Sequence, residues 1–185
     1  MGAERKAIDL RRQEGLAPWS PLPSETLAKR LNTRIIGPRD VGGLSEDKIL
    51  VLLGTCSREW SAVTIRTEQG CHVVVENTTH SPLRRESTRF HELAHIICAH
   101  RPTGFQSIPG VGILLRSFDP EQEQEADWLG QCLHLPRPAL GWCLNYEFSM
   151  EKISQTYVAS EQLVRYRLNK TGLLIIRKRM APMAH

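Results

Sequence analysis

The chain has no cysteine pair at zinc-knuckle spacing, no apolar run of membrane-spanning length, no internal repeat and no strong excess of one charge, and each absence removes a class of function. Its five cysteines (Cys56, Cys71, Cys98, Cys132, Cys143) are odd in number, widely spread and without a CxxC pair, so reduced and mostly buried thiols are expected rather than a disulfide framework. The charge-dense stretch Met1 to Gln13 holds no apolar core for a signal peptide, and Lys6 stands where a myristoylation signal wants Ser or Thr. These features describe a cytoplasmic protein with no membrane partner. A net charge of +4, with short basic clusters such as Arg11-Arg12, Arg84-Arg85 and Arg177-Lys178-Arg179, permits contact with nucleic acid without arguing for it.

What is present suffices for one compact domain with a small appendage: 185 residues, 41% of them hydrophobic and 24% charged. Pro18, Pro21 and Pro23 mark a stiff lead-in, so order is expected from about Ser24. Ser24 is placed to cap a short helix through Leu31, and Ser45 a second carrying Ile49, Leu50 and Leu53. The β-branched stretches Trp60 to Thr67 and Cys71 to Glu76, split by Glu68-Gln69-Gly70, predict a hairpin. A helical period then runs from about Pro82 to His100, with Phe90, Leu93, Ala94, Ile97 and Cys98 as its apolar stripe. Gly104 to Pro120 reads as irregular. Asp119-Pro120-Glu121 opens another helix that ends by Leu135-Pro136, and two more follow at Met150 to Tyr157 and Glu161 to Lys170, capped by Ser149 and Ser160 and closed by Gly172. Leu173 to Arg177 reads as a terminal strand.

The informative segment is Phe90-His91-Glu92-Leu93-Ala94-His95, an HExxH on a helix. Four positions apart is one turn, so the two imidazoles can converge on one Zn²⁺ while Glu92 lies within reach of a bound water. Zinc lowers the pKa of such a water to about 7, and a carboxylate can then take its proton as it attacks a carbonyl. A catalytic zinc wants three protein ligands and an open position. A third histidine of the metzincin kind is excluded because Arg101 occupies its place, and His100 falls on another side of the helix. The run Glu121 to Asp127 offers a carboxylate instead. If Ala126, Leu129, Gly130 and Leu133 face the core, Glu123 projects near that face and Glu125 away from it, which favours Glu123 while leaving Glu125 as the alternative. Asp127, one turn on, is placed to hydrogen-bond the outer nitrogen of a ligating histidine.

The order Arg85-x-x-x-Arg89-Phe90-His91-Glu92-Leu93-Ala94-His95, then Glu123-Gln124-Glu125-Ala126-Asp127, then Leu135-Pro136, resembles the ImmA/IrrE family of metallopeptidases, and Ser149 to Ser160 followed by Arg167-Leu168 and Gly172 is similar to that family's helix-turn-helix-like tail. The resemblance spans about Pro21 to Gly172. It implies a gluzincin-like cytoplasmic endopeptidase, common on mobile elements, that cleaves a helix-turn-helix transcriptional repressor and switches on genes, often after DNA damage. By position it makes His91, His95 and Glu123 the ligands of Zn²⁺, with Mn²⁺ the other candidate, and Glu92 the base. Ala94 replaces a usual glycine, Asp127 a usual asparagine and His134 a usual aliphatic residue.

His134 is thus a candidate extra ligand or proton donor, against the plainer reading of a helix-end histidine at the surface. Tyr146 and Tyr157 are candidate oxyanion donors, against simple packing. Cys98 could lock the metal but lies on the apolar stripe; His72 and His80 have no partner pattern. Arg85 and Arg89 could meet an acidic substrate or hold the helix that bears the carboxylate. The expected architecture is α+β, a small antiparallel sheet on zincin-type metal-binding helices with a helical appendage: 1–20 a flexible lead-in, 21–148 the peptidase domain, 149–180 the helix-turn-helix-like part and 181–185 a tail. Substrate would lie as an extended strand along the Trp60 to Glu76 hairpin. Two rivals stand beside the peptidase: a non-catalytic antirepressor or antitoxin-like protein that sequesters a regulator around structural zinc, and, behind it, direct DNA binding through Glu161 to Lys170.

Overall fold

The computed structural model describes residues 2–67, 69–108 and 113–175. The chain divides into two compact units, Pro23–Gly130 and a second made of Met1–Leu22 with Gln131–His185. In chain order the elements are α1 (Ala3–Gln13), α2 (Ser24–Arg30), β1 (Thr33–Ile36), a 3₁₀ turn (Pro38–Asp40), α3 (Glu46–Leu53), β2 (Ala62–Arg66), β3 (His72–Glu76), α4 (Pro82–Ile97), β4 (Gly104–Ile108), β5 (Ile113–Ser117), α5 (Pro120–His134), α6 (Arg137–Asn145), α7 (Met150–Tyr157) and α8 (Glu161–Thr171). The class is α+β, as expected. Among the described residues no helix is long and apolar enough to cross a membrane.

In the unit Pro23–Gly130 the expected hairpin forms, with Thr64 opposite Val74 and Ala62 opposite Glu76. The sheet is not purely antiparallel: β1 adds to β3 in parallel, giving the order β1-β3-β2 with β3 in the centre. The pleat then sorts the side chains. Val63, Val73, Val75 and Ile36 join Trp60 and Leu52 in one cluster, and the indole N–H of Trp60 donates to the Leu52 carbonyl at 2.9 Å. The other face carries Thr64, Val74 and Glu76, all buried, and packs on α4.

Helix α4 starts where Ser81 accepts from the Arg84 N–H and proline occupies the first turn, a position that needs no amide donor. Its stripe of Phe90, Leu93 and Ala94 is buried. Glu76, at the end of β3, anchors the helix. Arg89 donates to it twice at 2.7 Å, and Arg85 through Nε at 3.1 Å and again through Nη2. The two arginines therefore hold a buried carboxylate. Ser24 also departs from expectation: Pro23 occupies the cap position of α2, and the Ser24 hydroxyl donates to Glu86 at 2.7 Å. The segment read as irregular contains the antiparallel hairpin of β4 and β5.

The other unit overturns the flexible lead-in, because residues 3–13 are helical and Ala7 and Arg11 are fully buried. Arg11 donates to the carbonyls of Ser20, Ala7 and Leu133, so its charge is spent on backbone acceptors. Residues 1–22 and 131–148 belong with the helical tail, and the expected division at residue 148 is therefore displaced. Leu135, Ala139, Leu140, Cys143, Ile153, Tyr157, Val164 and Leu168 form the core here. Ser149 and Ser160 cap α7 and α8 as expected, and the turn between them passes through Val158 at φ 51°. Residues 173–175 are helical rather than a strand; Ile176 and Arg177 lie outside the described residues. All five cysteines are free thiols.

Candidate metal centre

The site is assembled within the unit Pro23–Gly130, where α4 presents His91, Glu92 and His95 and the first half of α5 presents Glu123 and Asp127. The acidic start of α5 is held by Asp119, whose carboxylate accepts from the N–H groups of Glu121 and Gln122 at 3.0 and 2.9 Å. The helices approach closely because position 130 has no side chain. A Cβ there would lie 3.1 Å from the Phe90 carbonyl oxygen and 3.2 Å from the backbone N and Cα of His91. We expect Gly130→Ala to push α5 off the His91 turn, costing about 1–3 kcal/mol of stability and weakening metal binding, as thermal unfolding and a zinc titration would read.

His91 Nε2 and His95 Nε2 lie 3.0 Å apart, and the Glu123 carboxylate reaches them at 3.4 and 3.6 Å. The three side chains form a group that could hold a metal ion. An ion bound tetrahedrally at about 2.0–2.2 Å keeps its donors roughly 3.3–3.6 Å apart, and the separations here are at or just inside that spacing. The donor set, two imidazoles and a carboxylate, suits zinc. His91 Nδ1 donates to Asp127 at 2.9 Å, which leaves its Nε2 lone pair aimed at the group. Burial and the neighbouring imidazoles push His95 down to about 3, so it is a neutral ligand-type ring. Its plane stacks on Phe118, 4.0 Å between centroids.

Glu92 is half-buried, and desolvation raises its pKa, opposed by a 2.5 Å hydrogen bond donated by the Thr64 hydroxyl. Thr64 and Phe118 were not foreseen from the sequence. Thr64 lies one strand away from the motif, and only a β-strand register that turns it toward α4 brings it there. Thr64→Val should lower activity about 10- to 100-fold, the range set by a hydrogen bond to a charged group of roughly 1.5–3 kcal/mol, with zinc content unchanged by metal analysis.

The other sequence candidates separate from this cluster. Glu125 does not join it; its carboxylate accepts from His100 at 3.2 Å. His134 is buried rather than a surface histidine, and its Nε2 donates to the Tyr157 carbonyl at 2.8 Å, both within the other unit. The Tyr157 hydroxyl donates to the Trp19 carbonyl at 2.5 Å, and burial raises its pKa, so it serves packing rather than an oxyanion. Tyr146 is exposed and rests on Trp142. His80 donates to the Ser57 carbonyl at 3.1 Å. Arg85 and Arg89 bind Glu76.

Against known families, the model described as the IrrE N-terminal-like domain of a peptidase family matches residues 57–169, more than half of the chain. No curated protein and no solved structure gave a match.

Proposed function

The chain belongs to the IrrE N-terminal-like, or ImmA/IrrE, family of metallopeptidases, and from that premise we propose that it is a site-specific zinc endopeptidase whose substrate is a DNA-binding transcriptional repressor. The observation that carries the reading is the convergence of His91, His95 and Glu123 beside the half-buried carboxylate of Glu92. His91, His95 and Glu123 would hold the ion, which when bound supplies a Lewis acid that polarises the scissile carbonyl and acidifies the attacking water. Glu92 accepts the proton of that water and later delivers it to the leaving amine. Thr64 holds the carboxylate in place for this, and Asp127 holds the His91 ring.

Among the described residues β3 is bonded to a strand on both sides and β2 on one, with β5 lying close to β2. An extended substrate segment added to β2 runs past Thr64, and hence past Glu92. Recognition through backbone hydrogen bonds suits a protein substrate that presents a strand or an unfolded loop. The repressor, and with it control of stress or mobile-element genes, rests on the family resemblance.

The second reading, a sequestering antirepressor with structural zinc, shares the fold and differs in the fate of the partner. Direct DNA binding through α8 is disfavoured, since the Arg167 guanidinium is fully buried, binds Glu4 and donates to the Leu135 carbonyl at 3.0 Å. Co-expression with a tagged helix-turn-helix repressor encoded beside this gene, followed by immunoblot, separates the first two. Repressor fragments support the peptidase; an intact repressor that co-purifies with the chain overturns it in favour of sequestration.

A further inference from the structure

His100 stands just beyond the last turn of α4, and the chain reaches it through Ala99 in the left-handed region at φ 54°. That reversal folds the ring back, so that the His100 N–H bonds to the His95 carbonyl at 3.0 Å and the two Nδ1 atoms lie 2.9 Å apart. The His100 side chain is only 6% exposed, and its Nε2 meets the Glu125 carboxylate at 3.2 Å. A helix continued through residue 100 would have pointed this ring elsewhere.

These contacts have a direction. A carboxylate only accepts, so the proton of His100 sits on Nε2 and points at Glu125. The Nδ1 of His100 is then a bare acceptor, and the proton between the two rings belongs to His95 Nδ1. That leaves the lone pair of His95 on Nε2, the atom facing His91 and Glu123. At the other end Asp127 does the same to His91. Two carboxylates that lie outside the metal-binding group thus fix the two imidazoles with both lone pairs turned on one point.

Resting on the metallopeptidase reading above, we propose that His100 and Glu125 are positioning residues for the metal: they lock the His95 tautomer and ring, through an imidazole placed between the ligand and its carboxylate. Cys98, His100 and Glu125 also lie close enough to resemble a second metal site. The chain of donors argues against that use. With an ion on His95 Nε2, the His100 Nε2 carries a proton and has no lone pair to give to another ion. Phe118 closes the remaining side by stacking on His95.

The test is zinc affinity by competition with a chromophoric chelator, which needs no substrate. It is run on the full chain and on its His100→Phe, His100→Gln, Glu125→Ala and Cys98→Ser forms, with circular dichroism to confirm folding. His100→Phe fills the space and accepts nothing, so zinc should bind about 10- to 100-fold more weakly. His100→Gln, whose amide oxygen can accept from His95, should recover much of the loss. Glu125→Ala should weaken binding in the same direction by less, and Cys98→Ser should leave one zinc per chain at full affinity. The nitrogen-bound proton of His95 should be visible by NMR in the zinc-loaded protein and exchange faster in His100→Phe. Unchanged affinity in folded His100→Phe overturns the positioning role alone, as does a second zinc equivalent that disappears with Cys98→Ser. Failure of the unaltered chain to bind zinc overturns this inference together with the peptidase reading.

Discussion

On the proposed peptidase reading, replacing Glu92 by Gln should abolish cleavage while leaving zinc binding intact. The side chain is near in size and neutral, so the helix, the two histidines and Glu123 keep their places, and only the capacity to take a proton is lost. General-base catalysis is worth about 10²- to 10⁴-fold, and a loss of that order in kcat with KM little changed is the expected signature. Thr64 sharpens the prediction, since its hydroxyl can still donate to the amide oxygen that the substitution introduces, and the site need not rearrange. Metal analysis on the same sample separates the two contributions: loss of zinc along with activity would move Glu92 from the base to the metal-binding framework.

Replacing Glu76 by Ala gives the largest loss of stability. Its carboxylate is 4% exposed and takes four hydrogen bonds from Arg85 and Arg89. Removing the carboxylate leaves two partly exposed guanidiniums, of which Arg89 keeps Glu86 at 3.5 Å, at a cost of about 2–3 kcal/mol. For a chain of this size that corresponds to a fall in Tm on the order of 10 °C.

The same group sets an acid limit. Burial alone would raise the Glu76 pKa, but hydrogen bonds and charge from Arg89 and Arg85 outweigh it and hold the folded-state value below the ordinary 4.5. Its contribution is therefore complete above that ordinary value and is lost as pH falls through the lower folded-state value. Unfolding free energy followed by denaturant titration between neutral pH and about pH 3 should fall in the unaltered chain, and fall less steeply in Glu76→Gln. An equal slope in both would show that the pair contributes nothing to the pH dependence. Since β3 and α4 are joined by this pair, the Glu76 variants should also weaken zinc binding without touching a ligand.

How much of this could be read in advance varied with how local the signal was. The HExxH helix was legible because its period, its proline-marked start and its chemistry lie within one segment. Helical geometry favoured Glu123 on α5 and left Glu125 open as the alternative, and it is Glu123 that sits beside the histidines. The hairpin of β2 and β3 was legible from its β-branched residues and its glycine turn.

What escaped was nonlocal or broke a rule. Strand β1 has four residues and no alternation, and it exists because β3 offers an edge to pair with. Helix α1 was hidden by its charge: Arg11 looks solvated in sequence but is buried on backbone carbonyls. Helix α6 was masked by Pro136 and Pro138, which stand at its cap and in its first turn, where proline is tolerated. The place of His100 depends on one left-handed residue, Ala99, whose side chain gives no hint of it. His134 was weighed as a ligand or a surface residue and is neither, because the Tyr157 carbonyl lies across its ring.

The claim on which the rest depends is that His91, His95 and Glu123 hold one zinc ion and leave a position for the reaction. X-ray absorption at the zinc edge on the loaded protein, with and without a small hydroxamate, tests it most directly. One zinc per chain is expected in a shell of nitrogen and oxygen at about 2.0–2.2 Å, containing two imidazoles and no sulfur, with the remaining ligand replaced by the hydroxamate. A sulfur neighbour at about 2.3 Å, or a shell that the hydroxamate leaves unchanged, would contradict it and make the metal a structural one.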